Sequence, residues 1–194
     1  MKALVVVDAQ NEFSEKGRRA VPDHAMIFSR ILWHVERARE GGEPIAWVQH
    51  HNKPHESRAF VPGEWGAELS PGLSPKTESS KEQLFQKEVY GAFSTTNLAE
   101  WLQANGIDEV VLVGFFSHMC LSTSAREALV RGFKVSIDPT ATGARDIVHP
   151  VLGRQAADEV RRTALLQLAD MGAAIVQFDH KVREPATAVR AQEQ

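Results

Sequence analysis

The sequence predicts a three-layer α/β/α fold, with a parallel sheet between two layers of helices. Short apolar runs alternate along the chain with longer segments whose apolar residues recur at helical spacing. The first run, Ala3-Leu4-Val5-Val6-Val7, is continuously apolar and valine-rich, the pattern of a strand buried on both faces. Strands separated by helices need crossover connections, and such connections make neighbouring strands parallel.

The elements follow in order. Ala3 to Asp8 reads as the first strand. Asp23 is placed to cap a helix carrying Met26, Ile27, Ile31, Leu32 and Val35, which Gly41-Gly42 stops. Pro44 to His50 is the second strand. Residues 51 to 80 are rich in Pro, Gly, Ser and charge, and so long an irregular segment within one domain is functional or disordered. Phe60 and Trp65 within it do not suit a solvated linker. Leu84 to Lys87 is a short third strand. Ser94, Thr95 and Thr96 offer cap oxygens to a helix through Leu98, Trp101 and Leu102, which Asn105-Gly106 ends. Glu109 to Val113 is the fourth strand, Cys120 to Arg131 a helix closed by Gly132, and Phe133 to Ile137 a fifth strand ended by Asp138-Pro139. Ala156 to Met171 carries the helical stripe Val160, Ala164, Leu165 and Leu168, and Ala173 to Phe178 is the sixth strand. Residues 1–178 make one domain; 179–194 form a polar tail expected to fray. No internal repeat is visible.

Bulk properties exclude several function classes. A chain of 194 residues suffices for one domain with a full core. The formal net charge of −3 and the absence of a basic block argue against nucleic acid as a partner. No apolar run approaches the ~20 residues needed to span a bilayer. The N-terminus lacks the long apolar stretch and cleavage site of a signal peptide. One cysteine cannot form an internal disulfide, which fits a reducing compartment. A cytoplasmic, soluble protein is the expectation.

The chemistry centres on that cysteine, Cys120. It follows the run Val110-Val111-Leu112-Val113-Gly114 and opens a helix, where outward-pointing N–H groups favour a thiolate. Asp8 ends the first strand and Lys87 the third. In parallel sheets ligands bind beyond the carboxyl ends of the strands, where strand order reverses. The three side chains can therefore meet as a nucleophile, a proton-carrying carboxylate and a fixed cation. Each residue also has an ordinary reading: a small buried hydrophobe, a turn carboxylate, a solvated lysine. Phe13, Trp65, Tyr90, Phe93, Phe115 and Phe116 are candidates to line a pocket, Phe13 and Trp65 foremost because they sit in irregular segments. Gln10 is a candidate to hydrogen-bond substrate or to satisfy a loop. His118, two residues before Cys120, reads as structural.

Four motifs in order carry a resemblance: Asp8-Ala9-Gln10-Asn11-Glu12-Phe13, then Phe60-Val61-Pro62-Gly63-Glu64-Trp65-Gly66-Ala67-Glu68-Leu69, then Lys87-Glu88-Val89-Tyr90-Gly91-Ala92-Phe93, then Gly114-Phe115-Phe116-Ser117-His118-Met119-Cys120. Over residues 3 to 178 the chain resembles the isochorismatase-like cysteine hydrolases, which include nicotinamidases, N-carbamoylsarcosine amidases and isochorismatases. The resemblance implies a six-stranded parallel sheet, in the order 3-2-1-4-5-6. It also implies a catalytic triad of Asp8, Lys87 and Cys120. A cis peptide between Phe115 and Phe116 would aim the Phe116 N–H beside that of Cys120 as an oxyanion hole, with Gln10, Phe13, Trp65, Tyr90 and Phe116 contacting substrate.

Nicotinamidases of this family bind a metal through an Asp-x-His pair after the second strand and a later His. Here that place reads Gln49-His50-His51-Asn52, and no His lies between 56 and 80, so no metal and no cofactor is expected despite His50, His51 and His55. The expected activity is cysteine-dependent hydrolysis of a carbon–nitrogen bond in a small amide or carbamoyl compound, through a thioester on Cys120. A vinyl-ether hydrolase of the isochorismatase type and a non-catalytic or redox-responsive binding domain are the alternatives. The expected partners are a small-molecule substrate and further copies of the chain, as a dimer or tetramer, with no nucleic acid and no membrane.

Overall fold

Continuous apolar runs take the centre of the sheet and put side chains into both faces. In the computed structural model, which describes residues 1–53, 55–76 and 78–179, the first run is strand β1, Lys2–Val7. Its Ala3, Val5 and Val7 point into one core, and its Leu4 and Val6 into another. Helix α1, His24–Glu40, covers the second face with Ile27, Ile31, Val35 and Ala38. The first face receives α2 (Leu98–Ala104), α3 (Cys120–Val130) and α4 (Ala157–Asp170), through residues such as Leu98, Leu102, Leu121, Ala125, Leu165 and Leu168.

The remaining sheet strands are β2 (Ile45–His50), β3 (Glu82–Lys87), β4 (Glu109–Phe115), β5 (Lys134–Gly143) and β8 (Ala174–Ile175). All pair in parallel, in the order β3-β2-β1-β4-β5-β8. This is the expected order. The last strand is the eighth because an antiparallel hairpin precedes it, β6 (Ile147–His149) with β7 (Gly153–Gln155). Its strands are too short to leave a pattern in the sequence.

Several local expectations change. Asp23 adopts a left-handed backbone, φ 57°, and its carboxyl makes no capping bond. Thr96 does act at its helix start, accepting the Leu98 N–H at 3.2 Å. The fifth strand does not stop at Asp138-Pro139. Its pairing to β4 jumps from Leu112↔Ile137 to Gly114↔Thr142, so a bulge absorbs the proline and pairing resumes beyond it. The sixth sheet strand covers only two of the residues expected. The irregular segment after β2 is anchored to the loop after β1, by Asn11 N–H to Glu68 O (3.0 Å) and Ser70 N–H to Ala9 O (2.9 Å). That anchoring explains the buried Phe60. Beyond residue 179 the polar tail lies outside the described residues.

Gly114 is a glycine whose lack of a side chain lets β4 lie close against β1. Its φ is 116°, and a Cβ there would lie 1.9 Å from the Val7 carbonyl oxygen of β1. Gly114→Ala is expected to destabilise by more than ~3 kcal/mol, because an unfavourable φ and a backbone clash combine. Gly132 also has a positive φ, 87°, but nothing lies within 4 Å of its Cβ position. Gly132→Ala should cost only ~1–2 kcal/mol. Urea unfolding of both variants checks this; equal losses would show that β1 yields easily.

Candidate active site

Strand order reverses between β1 and β4, and this is where a crevice opens in such a sheet. Asp8 lies one residue beyond β1, with φ 50°, a left-handed turn that Asp tolerates. Lys87 is the last residue of β3, which is not adjacent to β1. Neighbouring strands lie ~4.8 Å apart, so Lys87 must reach ~10 Å across the end of β2. It does so: Lys87 Nζ donates to Asp8 Oδ2 at 2.8 Å, and both side chains are fully buried. Burial opposes the charge on Lys87, but Asp8 and Cys120 outweigh it and raise its pKa above the ordinary value.

The residue Lys87 passes over is His50, its register partner at the end of β2. His50 Nδ1 lies 3.2 Å from Lys87 Nζ. An ammonium only donates, so Nδ1 is the acceptor and Nε2 carries the ring proton. Nε2 faces Asn52 Oδ1 at 2.9 Å, and Asn52 Nδ2 donates to Ala59 O at 2.7 Å. Burial first, and then the Lys87 charge, hold His50 below its ordinary pKa. Sequence reading assigned His50 no role at this site. Its only signal was its place at the carboxyl end of a strand between those bearing Asp8 and Lys87.

Cys120 is the first residue of α3, and its side chain is at the wall of a cavity of about 600 Å³. An Asp8 carboxylate oxygen, a His50 ring nitrogen and Cys120 Sγ lie within 4.8 Å of one another. Asp8 Oδ1 is buried without an N–H or O–H partner among the described residues. The Phe115–Phe116 peptide is cis. Phe116 O accepts the N–H groups of Met119 and Leu121, and Ser117 N–H is held by Gly143 O at 2.8 Å. Among the described residues no acceptor takes the Phe116 or Cys120 N–H.

The thiol itself differs from expectation. Burial pushes its pKa well up, the Asp8 carboxylate pushes it further, and Lys87 pulls it down without overcoming them. The direction runs against the thiolate expected from a helix N-terminus alone. At 7 % exposure, desolvation is the largest cause of that direction.

The cavity sorts the other candidates. Phe13 and Phe116 line it, their ring centroids 4.8 Å apart, and Phe60 joins them 5.2 Å from Phe13. Phe115 stacks behind Phe13 and Phe93 packs in the core. Tyr90 lines the rim at 56 % exposure. Gln10 does not reach the cavity: its Nε2 donates to His50 O and Ala67 O, and its Oε1 accepts the His50 N–H, so its amide is spent on backbone. Trp65 is outside the cavity lining and 48 % exposed, because its short 3₁₀ turn offers its backbone carbonyl, not its ring, to Asn11. His118 packs its ring 5.1 Å from Phe116, its pKa pushed down to about 4 by burial and by Arg145. Two cations missing from the sequence reading, Arg19 and Arg145, line the wall, with Glu56 and Glu88.

The residues at the end of β2 do not fit a metal. Gln49 is engaged by Ala67 O and Gln86, and both His50 nitrogens are engaged by Lys87 and Asn52. A cation placed among Asp8, His50 and Cys120 would meet the Lys87 ammonium that already occupies the first two.

Comparison with known proteins agrees with this geometry. The family model described as "Isochorismatase domain" matches residues 2–179. A secreted isochorismatase effector, Isc1, of Verticillium dahliae is 35 % identical over 173 residues, spanning 89 % of this chain and 86 % of that protein. A nicotinamidase/pyrazinamidase of Mycobacterium tuberculosis is 30 % identical over 191 residues, spanning 87 % of this chain and 98 % of that protein. The crystal structure of an N-carbamoylsarcosine amidase from Thermoplasma acidophilum superposes with a TM-score of 0.74 at 28 % identity, covering 91 % of this chain and 95 % of that one. With its sheet order, its cis peptide and a family match over nearly its whole described length, the chain belongs to the isochorismatase family and is a hydrolase.

Proposed function

We propose that this hydrolase cleaves a carbon–nitrogen bond of a small amide or carbamoyl compound through a thioester on Cys120. The observation that carries the reading is the single thiol at a cavity wall beside a buried Lys–Asp pair, with Asp8 Oδ1 left unpartnered. Asp8 takes the thiol proton as Sγ attacks the carbonyl carbon. The developing oxyanion is met by the Phe116 and Cys120 N–H groups, each such donor worth ~3–4 kcal/mol in other hydrolases. Asp8 returns the proton to the departing nitrogen, and the amine leaves. Water, deprotonated by Asp8, then attacks the thioester, and the carbonyl product departs as the thiol is restored. Lys87 holds Asp8 Oδ2 throughout, which leaves Oδ1 for the proton.

The cavity favours a substrate with an anionic end. Arg145 Nε is buried without a hydrogen-bond partner, and neither Arg145 nor Arg19 has a carboxylate partner among the described residues. The aromatic side formed by Phe13, Phe60 and Phe116 suits a small flat or apolar portion.

The test is a panel of small primary amides and N-carbamoyl amino acids, with and without a carboxylate, read by release of ammonia or amine and by intact mass. Turnover, a mass increment confined to Cys120, and its loss with Cys120→Ala are expected. Full amide turnover by Cys120→Ala would overturn the thioester mechanism, and no turnover of any amide together with cleavage of a vinyl ether by Cys120→Ala would favour the isochorismatase-type reaction.

A further inference from the structure

We propose that His50 is a positioning residue for the Lys87 ammonium, its Nδ1 lone pair fixing the cation at the end of β2 so that the third N–H of that ammonium faces Cys120. The proposal deepens the reading above and rests on it for the role of Lys87. The argument is geometric. A lysine stem is flexible and has three rotatable donors. Here it spans two strand spacings, from the edge strand β3 to Asp8 beyond β1. One bond to Asp8 Oδ2 would leave the other two donors free to rotate. The second bond, to His50 Nδ1 at 3.2 Å, removes that freedom. Cys120 is the remaining close group: its Sγ lies within 4.8 Å of an Asp8 carboxylate oxygen and a His50 ring nitrogen, the two residues that hold the ammonium.

The arrangement works for one tautomer of His50. Nδ1 must be unprotonated to accept from an ammonium, and Asn52 enforces this by accepting from Nε2. Asn52 cannot turn over, because its amide nitrogen is committed to Ala59 O. Gln10 completes the support, accepting the His50 N–H and donating to His50 O. The Phe60 ring stands edge-on to the imidazole at 5.4 Å. The charged and titratable groups facing His50 are Lys87 from β3, Asp8 from the turn after β1, Cys120 from the start of α3, and its chain neighbour His51. Protonating His50 would turn Nδ1 into a donor aimed at another cation, so the imidazole serves as a neutral group.

The experiment needs no substrate. Cys120 is the only cysteine, so the rate of alkylation by iodoacetamide, followed by intact mass from pH 6 to 11, reports its ionisation alone. His50→Leu removes the acceptor, and His50→Asn restores one near the Nδ1 position. We expect His50→Leu to slow alkylation about tenfold at a fixed pH below the titration midpoint, a shift of about one pH unit, and His50→Asn to recover to within about threefold of the parent. A His50→Leu profile that superimposes on the parent's, or a His50→Asn profile as displaced as that of His50→Leu, overturns the proposal.

If His50→Leu does not fold, the ring nitrogens of the unmodified protein are read by nitrogen-15 NMR, with His50 assigned by its absence in His50→Asn. The Nε2–H tautomer, with an Nδ1 signal that moves in Lys87→Met, is expected; a protonated Nδ1 at neutral pH overturns the proposal. Neither readout depends on turnover, so a protein that hydrolyses no amide would sink the functional reading while leaving these outcomes to stand or fall separately.

Discussion

Replacing Asp8 by Asn is expected to make Cys120 more reactive toward iodoacetamide while removing hydrolysis. The two effects have opposite signs because Asp8 acts on the sulfur in two ways. As a charge, the carboxylate disfavours the thiolate, second only to burial. As the base of the proposed mechanism, it would give the thiol proton somewhere to go. Asp8→Asn removes the first effect and leaves the thiolate as the nearest counter-ion of Lys87. The Cys120 pKa should fall, and alkylation at pH 8 should rise at least about tenfold. Amide turnover should drop by ~10²–10⁴, the range of a lost general acid–base group. Parallel alkylation and turnover assays on one preparation check this, with thermal unfolding as a control for folding. Slower alkylation in Asp8→Asn would show that Asp8 favours the thiolate, and the upward push of its charge on the Cys120 pKa would be overturned.

Lys87→Met should destabilise the protein by ~3–5 kcal/mol, because it strands the Asp8 carboxylate in a buried site. The double variant Asp8→Asn/Lys87→Met removes the stranded charge and should recover much of that loss, so the pair should be strongly non-additive. Urea unfolding of the two single variants and the double variant measures the coupling. Additive losses would mean that water reaches Asp8 once Lys87 is gone. The pH dependence has a definite sign. Lys87 binds its proton more tightly in the folded chain than its ordinary pKa of 10.5. Its contribution to stability is therefore fully present below that pH and lost as pH rises through the higher folded value. The part of the gap between the parent and Lys87→Met that Lys87 ionisation supplies should narrow on the alkaline side, above pH 10.5.

Much of the architecture was legible because burial leaves a local trace. Ala3 to Val7 reads as a central strand since both of its faces are covered, and the stripe from Val160 to Leu168 reads as a helix since one of its faces is. The bulge at Pro139 and the hairpin at residues 147–155 were not legible. The first depends on what β4 offers as a partner, and the second is too short to show a period.

The site divides in the same way. Asp8, Lys87 and Cys120 stand at the ends of strands or the start of a helix, and a parallel sheet brings such ends to one rim. By itself the sequence therefore determined the class of fold, the face on which chemistry belongs and three residues that meet there. It did not determine that Lys87 crosses β2 instead of ending a neighbouring strand, that His50 lies beneath it, that Gln10 is consumed by backbone, or that Trp65 lies outside the cavity. Nor did it determine that burial and the Asp8 carboxylate together push the Cys120 pKa up. Patterning along a chain records which side of an element is buried. The reach of a side chain across two strands, and the sum of desolvation and charge on one sulfur, depend on groups far apart in sequence, and only the folded chain sets those distances.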